Sequence, residues 1–311
     1  MGNVSRRQFV KGAAGITSTV LTTAFIGSPV AESYRGRINT ALGINTTSVA
    51  TSTSDSNTIY YKSDYGDDIY DAEALQKLEN DCIAAGIEEM EGGCVLLKNN
   101  NGALPLSAGA GVTLFGQNSI ENPNAEVPTG FGATGPTYGP FYSYHTPSDT
   151  STVKQVTYLS AMQTTFDVNP TMVEAYQNSG VGRVKDTENP EIGEAPVSLY
   201  TDDLKSSWAS DYNDAAIVMI TRQGSEDCDL VLEDGEGISQ LALHANEKDL
   251  LAMLKDQRSA GTLKKIVVLV NSSWAVELGE LDDYDVDAIL WVGTPGVVGF
   301  TGVANVLKGD A

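Results

Sequence analysis

The sequence predicts an α/β fold, a doubly wound and mainly parallel sheet sandwiched by helices, and three observations carry that prediction. Four short apolar runs, Val112 to Phe115, Ile217 to Ile220, Ile266 to Val270 and Ala288 to Val292, lack the alternation of a half-exposed strand and therefore fit strands buried on both faces. Helical patterns separate the later runs, which gives β-α-β-α order. The 311 residues are 41% hydrophobic with 31 Gly and 11 Pro, enough apolar material in an ordinary globular composition to bury a large core.

The chain opens with Ser5-Arg6-Arg7-Gln8-Phe9-Val10-Lys11, followed by an uncharged stretch of 20 residues from Gly12 to Ala31. That pattern resembles a twin-arginine export signal. A membrane-spanning helix is the rival reading, since 20 uncharged residues are long enough to cross a bilayer. Only Ile16, Val20, Leu21, Phe25, Ile26 and Val30 are strongly apolar there, and threonines, glycines and serines dilute them. Residues 1–31 are therefore assigned as the signal, and the protein is expected to work outside the cytoplasmic membrane. No clean A-x-A site follows Gly27, although Ser48-Val49-Ala50 has small residues in the right places.

Residues 32–73 form a polar linker in this reading, because Asn39 to about Tyr70 is rich in Thr, Ser, Asn and Asp and sustains no period. A helix is expected to begin near Asp71, where Leu75, Leu78, Cys82, Ala85 and Met90 recur at close to 3.6-residue spacing, and Gly92-Gly93 should stop it. The folded domain is assigned to residues 74–311. Glu121 to Thr152, crowded with Pro, Gly and Tyr, reads as a long loop. Asn246 is expected to cap one later helix, with Asp249 three residues on and Leu250, Leu251 and Leu254 on its apolar face. Another helix should run from about Val297 to Leu307.

In such a sheet the binding site lies beyond the carboxyl ends of the strands. That rule singles out Arg222 to Leu230, Asn271 to Trp274 and Gly293 to Gly296.

Charge excludes one class of partner. The chain carries 41 acidic and 19 basic side chains for a net charge of −22, and beyond residue 37 the balance is 14 basic to 40 acidic. Such a surface repels phosphate backbones, and no Lys/Arg-rich run overrides it, so nucleic acid is not an expected partner. Cys82, Cys94 and Cys228 are too few and too widely spaced for a disulfide framework or a metal knuckle, and are expected to be buried free thiols.

Several motifs carry little weight. GFGATG, Gly130 to Gly135, satisfies G-x-G-x-x-G but follows no apolar strand, and Pro136 spoils a helix start, so dinucleotide binding has weak support. His145 and His244 accompany no G-x-S-x-G elbow. His244 and Glu247 have the i,i+3 spacing of a metal pair without a second pair to complete it. The acidic run Glu280 to Asp287 reads as a solvated turn. Nothing in the sequence calls for a metal or an organic cofactor.

The segment TRQGSEDCDL, Thr221 to Leu230, is more informative. It follows a buried strand directly and sets Arg222, Glu226, Asp227 and Asp229 on a glycine-containing turn at the expected site edge. On spacing alone a solvated loop fits as well as a catalytic one. A carboxyl on such a loop, desolvated by a partner domain, would have a raised pKa and could donate a proton.

Four ordered segments, GCVLLKNNNGALPL (Gly93 to Leu106), VTLFGQNS (Val112 to Ser119), DAAIVMITRQGSEDCDL (Asp214 to Leu230) and Lys265 to Gly309, together resemble the C-terminal α/β-sandwich domain of glycoside hydrolase family 3, of the domain-permuted β-glucosidase type. The resemblance spans roughly Ala74 to Ala311. It implies a retaining β-glycosidase acting on a β-linked glycoside, in which a (β/α)8 barrel, in cis or in trans, supplies an Asp nucleophile and this domain supplies the general acid/base. The family pattern R-x-G-x-E-G-x-D falls on Arg222, Gly224, Glu226 and Asp229, and the resemblance implies that Glu226 is the catalytic residue and that Arg222 and Asp229 bind substrate or support the loop. Asp227 stands where the family has Gly. No Trp follows an Asp, so the Ser-Asp-Trp type nucleophile motif is absent from these residues, and the family normally continues past LKGDA. The alternative reading is a carbohydrate- or partner-binding remnant without catalysis.

Overall fold

The computed structural model describes residues 72–120, 156–179, 181, 194–222, 232, 239–272 and 274–311. The proposed signal, most of the linker, the Glu121 to Thr152 loop, GFGATG, His145, Cys228, Glu226 and Asp229 lie outside them.

Six strands form one sheet: β1 (Val95–Asn99), β2 (Gly111–Phe115), β3 (Asp167–Val168), β4 (Ala215–Arg222), β5 (Ile266–Ser272) and β6 (Ala288–Trp291), in the spatial order β1-β6-β5-β4-β2-β3. All pairings are parallel except β1 with β6. The four apolar runs are β2, β4, β5 and β6, and every residue of β2, β4 and β5 is buried, as continuous hydrophobicity without alternation requires.

The helices are α1 (Ala72–Gly93), α2 (Tyr158–Thr165), α3 (Pro170–Gln177), α4 (Asp202–Ser206), α5 (Ala245–Ser259) and α6 (Phe300–Lys308). One layer contains α1, α2 and α6, with α6 touching both of the others, while α3 packs with α4, and α5 packs against the short turns at Val197–Leu199 and Gly279–Tyr284. Gly302 makes the α1 contact possible, because a Cβ there would come within 2.6 Å of the Ile87 carbonyl oxygen. The core is continuous, with Phe115 edge-on to Trp208 at 5.4 Å between ring centroids and Tyr158 tilted against Phe300 at 5.4 Å.

The chain leaves β2 outward to β3, then returns to the other side of β2 to lay down β4, β5 and β6. The reversal falls between β2 and β4, so the switch-point rule puts the expected binding position at their carboxyl ends. At that point Gly116 leaves β2 with φ 92°, and any Cβ there would collide with the Met219 carbonyl oxygen of β4.

Several expectations need correction. Helix α1 starts at Ala72, two residues inside the stretch assigned to the linker. Helix α5 starts two residues earlier than the Asn246 cap implied: His244 is the capping residue, its backbone N–H donating to a Glu247 Oε2 at 2.8 Å, and the Asn246 amide instead donates to the Glu194 carbonyl at 2.9 Å. Helix α6 begins at Phe300, because the three residues before it form a turn closed by Gly299 N–H to the Pro295 carbonyl. Cys82 is exposed on α1 and Cys94 is only partly covered, its thiol pushed up to about 11 by burial. The acidic run is not wholly solvated, for Asp287 is buried and accepts from the Ile266 N–H and from Arg258. Strands β1 and β3 and helices α2, α3 and α4 had no sequence expectation, being short or, for β1, half-exposed at the sheet edge. No helix among the described residues is long and apolar enough to cross a membrane.

Candidate functional site

Polar side chains succeed apolar ones where β2, β4 and β5 end. Asn118 donates to Thr221 Oγ1 at 3.2 Å, the Thr221 hydroxyl reaches Asn271 Oδ1 at 3.5 Å, and the Asn271 side-chain amide donates to the Gly293 backbone carbonyl at 2.6 Å. This chain of contacts runs across the carboxyl ends of four neighbouring strands. It brings together three segments that strand order had singled out, those starting at Arg222, Asn271 and Gly293.

Arg222, the last residue of β4, is buried with 6% of its side chain exposed. Its Nε–H donates to the Gln240 carbonyl at 2.7 Å. Nη1 donates to the Thr221 carbonyl at 3.0 Å and to Glu247 Oε1 at 2.8 Å, and Nη2 donates to the Ala242 carbonyl at 2.6 Å and to Glu247 Oε2 at 2.8 Å. Those contacts use all five N–H groups of a guanidinium, so none is left for a ligand. The arginine is a clamp. It joins the end of β4 to Gln240 and Ala242, and its charge is matched by a bidentate carboxylate.

Glu247 sits in the first turn of α5. Burial alone would raise its pKa, but the hydrogen bonds and charge of Arg222 outweigh that and hold it below the ordinary carboxylate range. The acidic position near a helix N-terminus acts in the same direction. The sequence pairing of His244 with Glu247 is thus real in space, but its purpose is helix capping and arginine binding. No group of three metal-binding side chains occurs among the described residues.

A second carboxyl lies close by. Glu194 accepts the N–H of Gln117 at 2.8 Å and of Ala195 at 2.9 Å. Part of the residue faces solvent, yet desolvation of its carboxyl raises the pKa to about 8, with the negative Glu247 adding to the effect and the two N–H groups opposing it. Beside it, the Tyr176 and Tyr200 hydroxyls are 2.7 Å apart, Tyr176 accepts from the Gly116 N–H at 2.8 Å, and burial pushes both phenols well above their usual value. Ser179 donates to the Gln117 side-chain oxygen at 3.0 Å, whereas Gln117 Nε2 is buried with no partner among the described residues.

Of the three residues drawn from the sequence, the structure places Arg222 at the carboxyl end of β4, beside the switch point, and Glu226 and Asp229 lie outside the described residues. Glu194, Gln117, Tyr176 and Tyr200 were not anticipated, and Glu247 was expected only as half of a metal pair with His244, not as the partner of Arg222. Only Gln117, inside the VTLFGQNS segment, and Glu247, three residues after His244, stood within patterns that could have flagged them. A wide concavity of about 570 Å³ opens at the opposite end of the sheet, among Lys98, Arg258, Asp282 and Asp287. Its charged rim at the amino ends of β5 and β6 is remote from the switch point, so the crevice at β2 and β4 remains the candidate site.

Comparison with known proteins agrees with this architecture. Residues 94–311 match the model of the glycosyl hydrolase family 3 C-terminal domain. A β-glucosidase from Ruminococcus albus is 26% identical over 235 residues, covering 74% of this chain and 22% of that protein. Among solved structures, β-glucosidase 3B of Thermotoga neapolitana, crystallised with glycerol, aligns with TM-score 0.53 and 23% identity over 76% of this chain and 29% of its own. A β-glucosidase from Paenibacillus barengoltzii aligns with TM-score 0.50 and 20% identity over 74% and 23%. The chain therefore spans between about a fifth and a third of the length of these relatives.

Proposed function

This chain belongs to glycosyl hydrolase family 3, and from that premise we propose that it supplies the sandwich domain and general acid/base of a retaining β-glucosidase-like enzyme. The observation that carries the reading is Arg222 at the end of β4, beside the β2/β4 switch point and four residues before Glu226 in sequence, bonded to the Gln240 and Ala242 carbonyls.

In the proposed reaction an Asp from a (β/α)8 barrel, in cis or in trans, attacks the anomeric carbon of a β-linked glycoside while Glu226 gives its proton to the departing glycosidic oxygen. The resulting Glu226 carboxylate then takes a proton from water, whose oxygen attacks the same carbon and releases the Asp. The two carboxyls must stand about 5–5.5 Å apart for this to retain configuration. Arg222 acts behind Glu226, with Asp229 as a further support of the loop. Export by the twin-arginine route belongs to the same proposal, and recovery of tagged full-length protein only from cytosol would remove it.

The test is hydrolysis of 4-nitrophenyl β-D-glucoside by the protein together with its barrel. Glu226→Gln is expected to lower kcat by about 100-fold or more, in line with loss of a general acid/base. Unchanged activity would sink the assignment. Asp227, a carboxylate where the family has Gly, favours a second reading, a carbohydrate-binding domain without catalysis, for which binding of glucose without turnover by the barrel-containing protein would be the sign.

A further inference from the structure

We propose that the outer edge of β1 is where two copies of this chain meet, strand against strand and antiparallel, an interface that stands whether or not Glu226 is the acid/base. Strand β1 is the last of the sheet, and among the described residues no strand pairs with its outer side. Val95, Leu96 and Leu97 are 51%, 50% and 49% exposed, three aliphatic side chains in a row on an open edge. Natural sheets blunt such an edge with charge, proline or a bulge, because its backbone groups accept another strand. Here the protection is partial. The register with β6 slips between Leu96 and Lys98, and Lys98 is held by Asp282 at 2.8 Å, so bulge and charge both fall toward the far end of the strand.

Helix α1, which runs directly into β1, repeats the pattern. It packs on α6 where Ile87 and Met90 lie against Gly302. Leu78 and Cys82, two positions of the apolar stripe that its periodicity announced, are nevertheless exposed.

Charge selects the occupant. At a net charge of −22, most of this surface repels a second copy. From Gly92 to Ile120, however, Lys98 is the only charged residue, so two β1 edges can approach without opposed carboxylates within the strands. Exposed Glu88 and Glu89 precede the strand and Lys98 lies near its end. Antiparallel pairing about a two-fold axis sets the acidic entry of one copy beside the basic exit of the other, whereas parallel pairing would set like charges together. It also consumes the β1 edge of each copy, so the assembly closes at two.

The experiment is sedimentation velocity of the full 311-residue chain from about 1 to 100 μM, with hydrogen exchange of the β1 amides alongside. The expected result is twice the mass of one chain, with β1 protection that rises with concentration. Leu97→Asp sets a carboxylate of each copy at the shared edge and is expected to weaken the dimer by about 100-fold or more. Should circular dichroism show that variant to be unfolded, Leu97→Thr serves instead, since it keeps a strand-forming residue and removes apolar area, with a weakening of about 10-fold expected. Leu232→Asp, at an apolar side chain 66% exposed and outside β1, is expected to leave the mass unchanged. A single-chain mass at the top of the concentration range, a dimer indifferent to the β1 variants, or one that Leu232→Asp dissociates overturns the proposal. A monomeric barrel-containing protein whose β1 amides are protected also overturns it, since the rest of that chain is then the occupant.

Discussion

Two arginine–carboxylate pairs mark opposite ends of the sheet. At the carboxyl end of β4, Arg222 is buried and all its donors are used by Glu247 and three carbonyls. At the amino ends of β5 and β6, Arg258 keeps 30% of its side chain exposed and donates to Asp287 at 2.6 Å and to the Asp285 carbonyl. The chemistry is the same and the consequences differ, because water can replace a lost partner for Arg258 and cannot for Arg222. The Arg222 pair is enclosed at the carboxyl end of β4; the other ties the last turn of α5 to the residue just before β6.

The largest predicted effect follows from that difference. In urea unfolding of the full chain, Glu247→Ala is expected to cost about 3–5 kcal/mol, the range for leaving a buried charge unpaired. Asp287→Ala should cost less, about 1–3 kcal/mol, chiefly because the buried Ile266 N–H loses its acceptor. Comparable losses would mean that burial at the carboxyl end adds nothing.

Protonation sharpens the picture from within the crevice itself. Glu194 and Glu247 are neighbouring carboxyls whose environments move them in opposite directions, one up to about 8 and the other below its ordinary value. A raised carboxyl pKa means that the native state holds a proton the unfolded chain has released, so this contribution to stability is fully present below about pH 4.5 and is lost as pH rises through 8. The depressed Glu247 contributes above its unfolded value and loses its contribution as pH falls through the folded one. Stability should therefore pass through a maximum in mild acid. The descending alkaline limb, on the order of 1–2 kcal/mol after allowance for the water that reaches Glu194, is expected to flatten in Glu194→Gln. An unaltered limb would assign it to other groups.

The sheet was the most legible part of the molecule. A strand buried on both faces needs unbroken apolar residues, and the four runs beginning at Val112, Ile217, Ile266 and Ala288 announced β2, β4, β5 and β6. Strand β1 and the two-residue β3 did not, because an edge strand is specified by pairing with a neighbour distant in sequence, Val95 with Trp291 for instance. The site was half legible. Arg222 was readable from its place after a buried strand and from family resemblance, while Glu247 lies 25 residues on and meets it only through the β4-to-α5 crossover. Glu194 and the Tyr176–Tyr200 pair have no local signal, since their chemistry arises from desolvation in the folded chain.

The smallest predicted effect is the control for the whole contrast, and it lies one residue from Glu247. Lys248 on α5 pairs with Glu280 at 2.9 Å, with 37% and 48% of the two side chains exposed, and the hydrogen bond to Glu280 raises the lysine pKa. The charges are opposite as in the Arg222 pair, though an ammonium replaces the bidentate guanidinium fork, and the same helix carries both acidic and basic partners. The other difference is the solvent. In water the gain in Coulomb energy is offset by the entropy of holding two long side chains, so Glu280→Gln is expected to change stability by less than about 0.5 kcal/mol, and less still in high salt. A loss of several kcal/mol there would show that charge pairing at the start of α5 stabilises the fold irrespective of burial, and the special standing of Glu247 at the crevice would have to rest on its loop contacts alone.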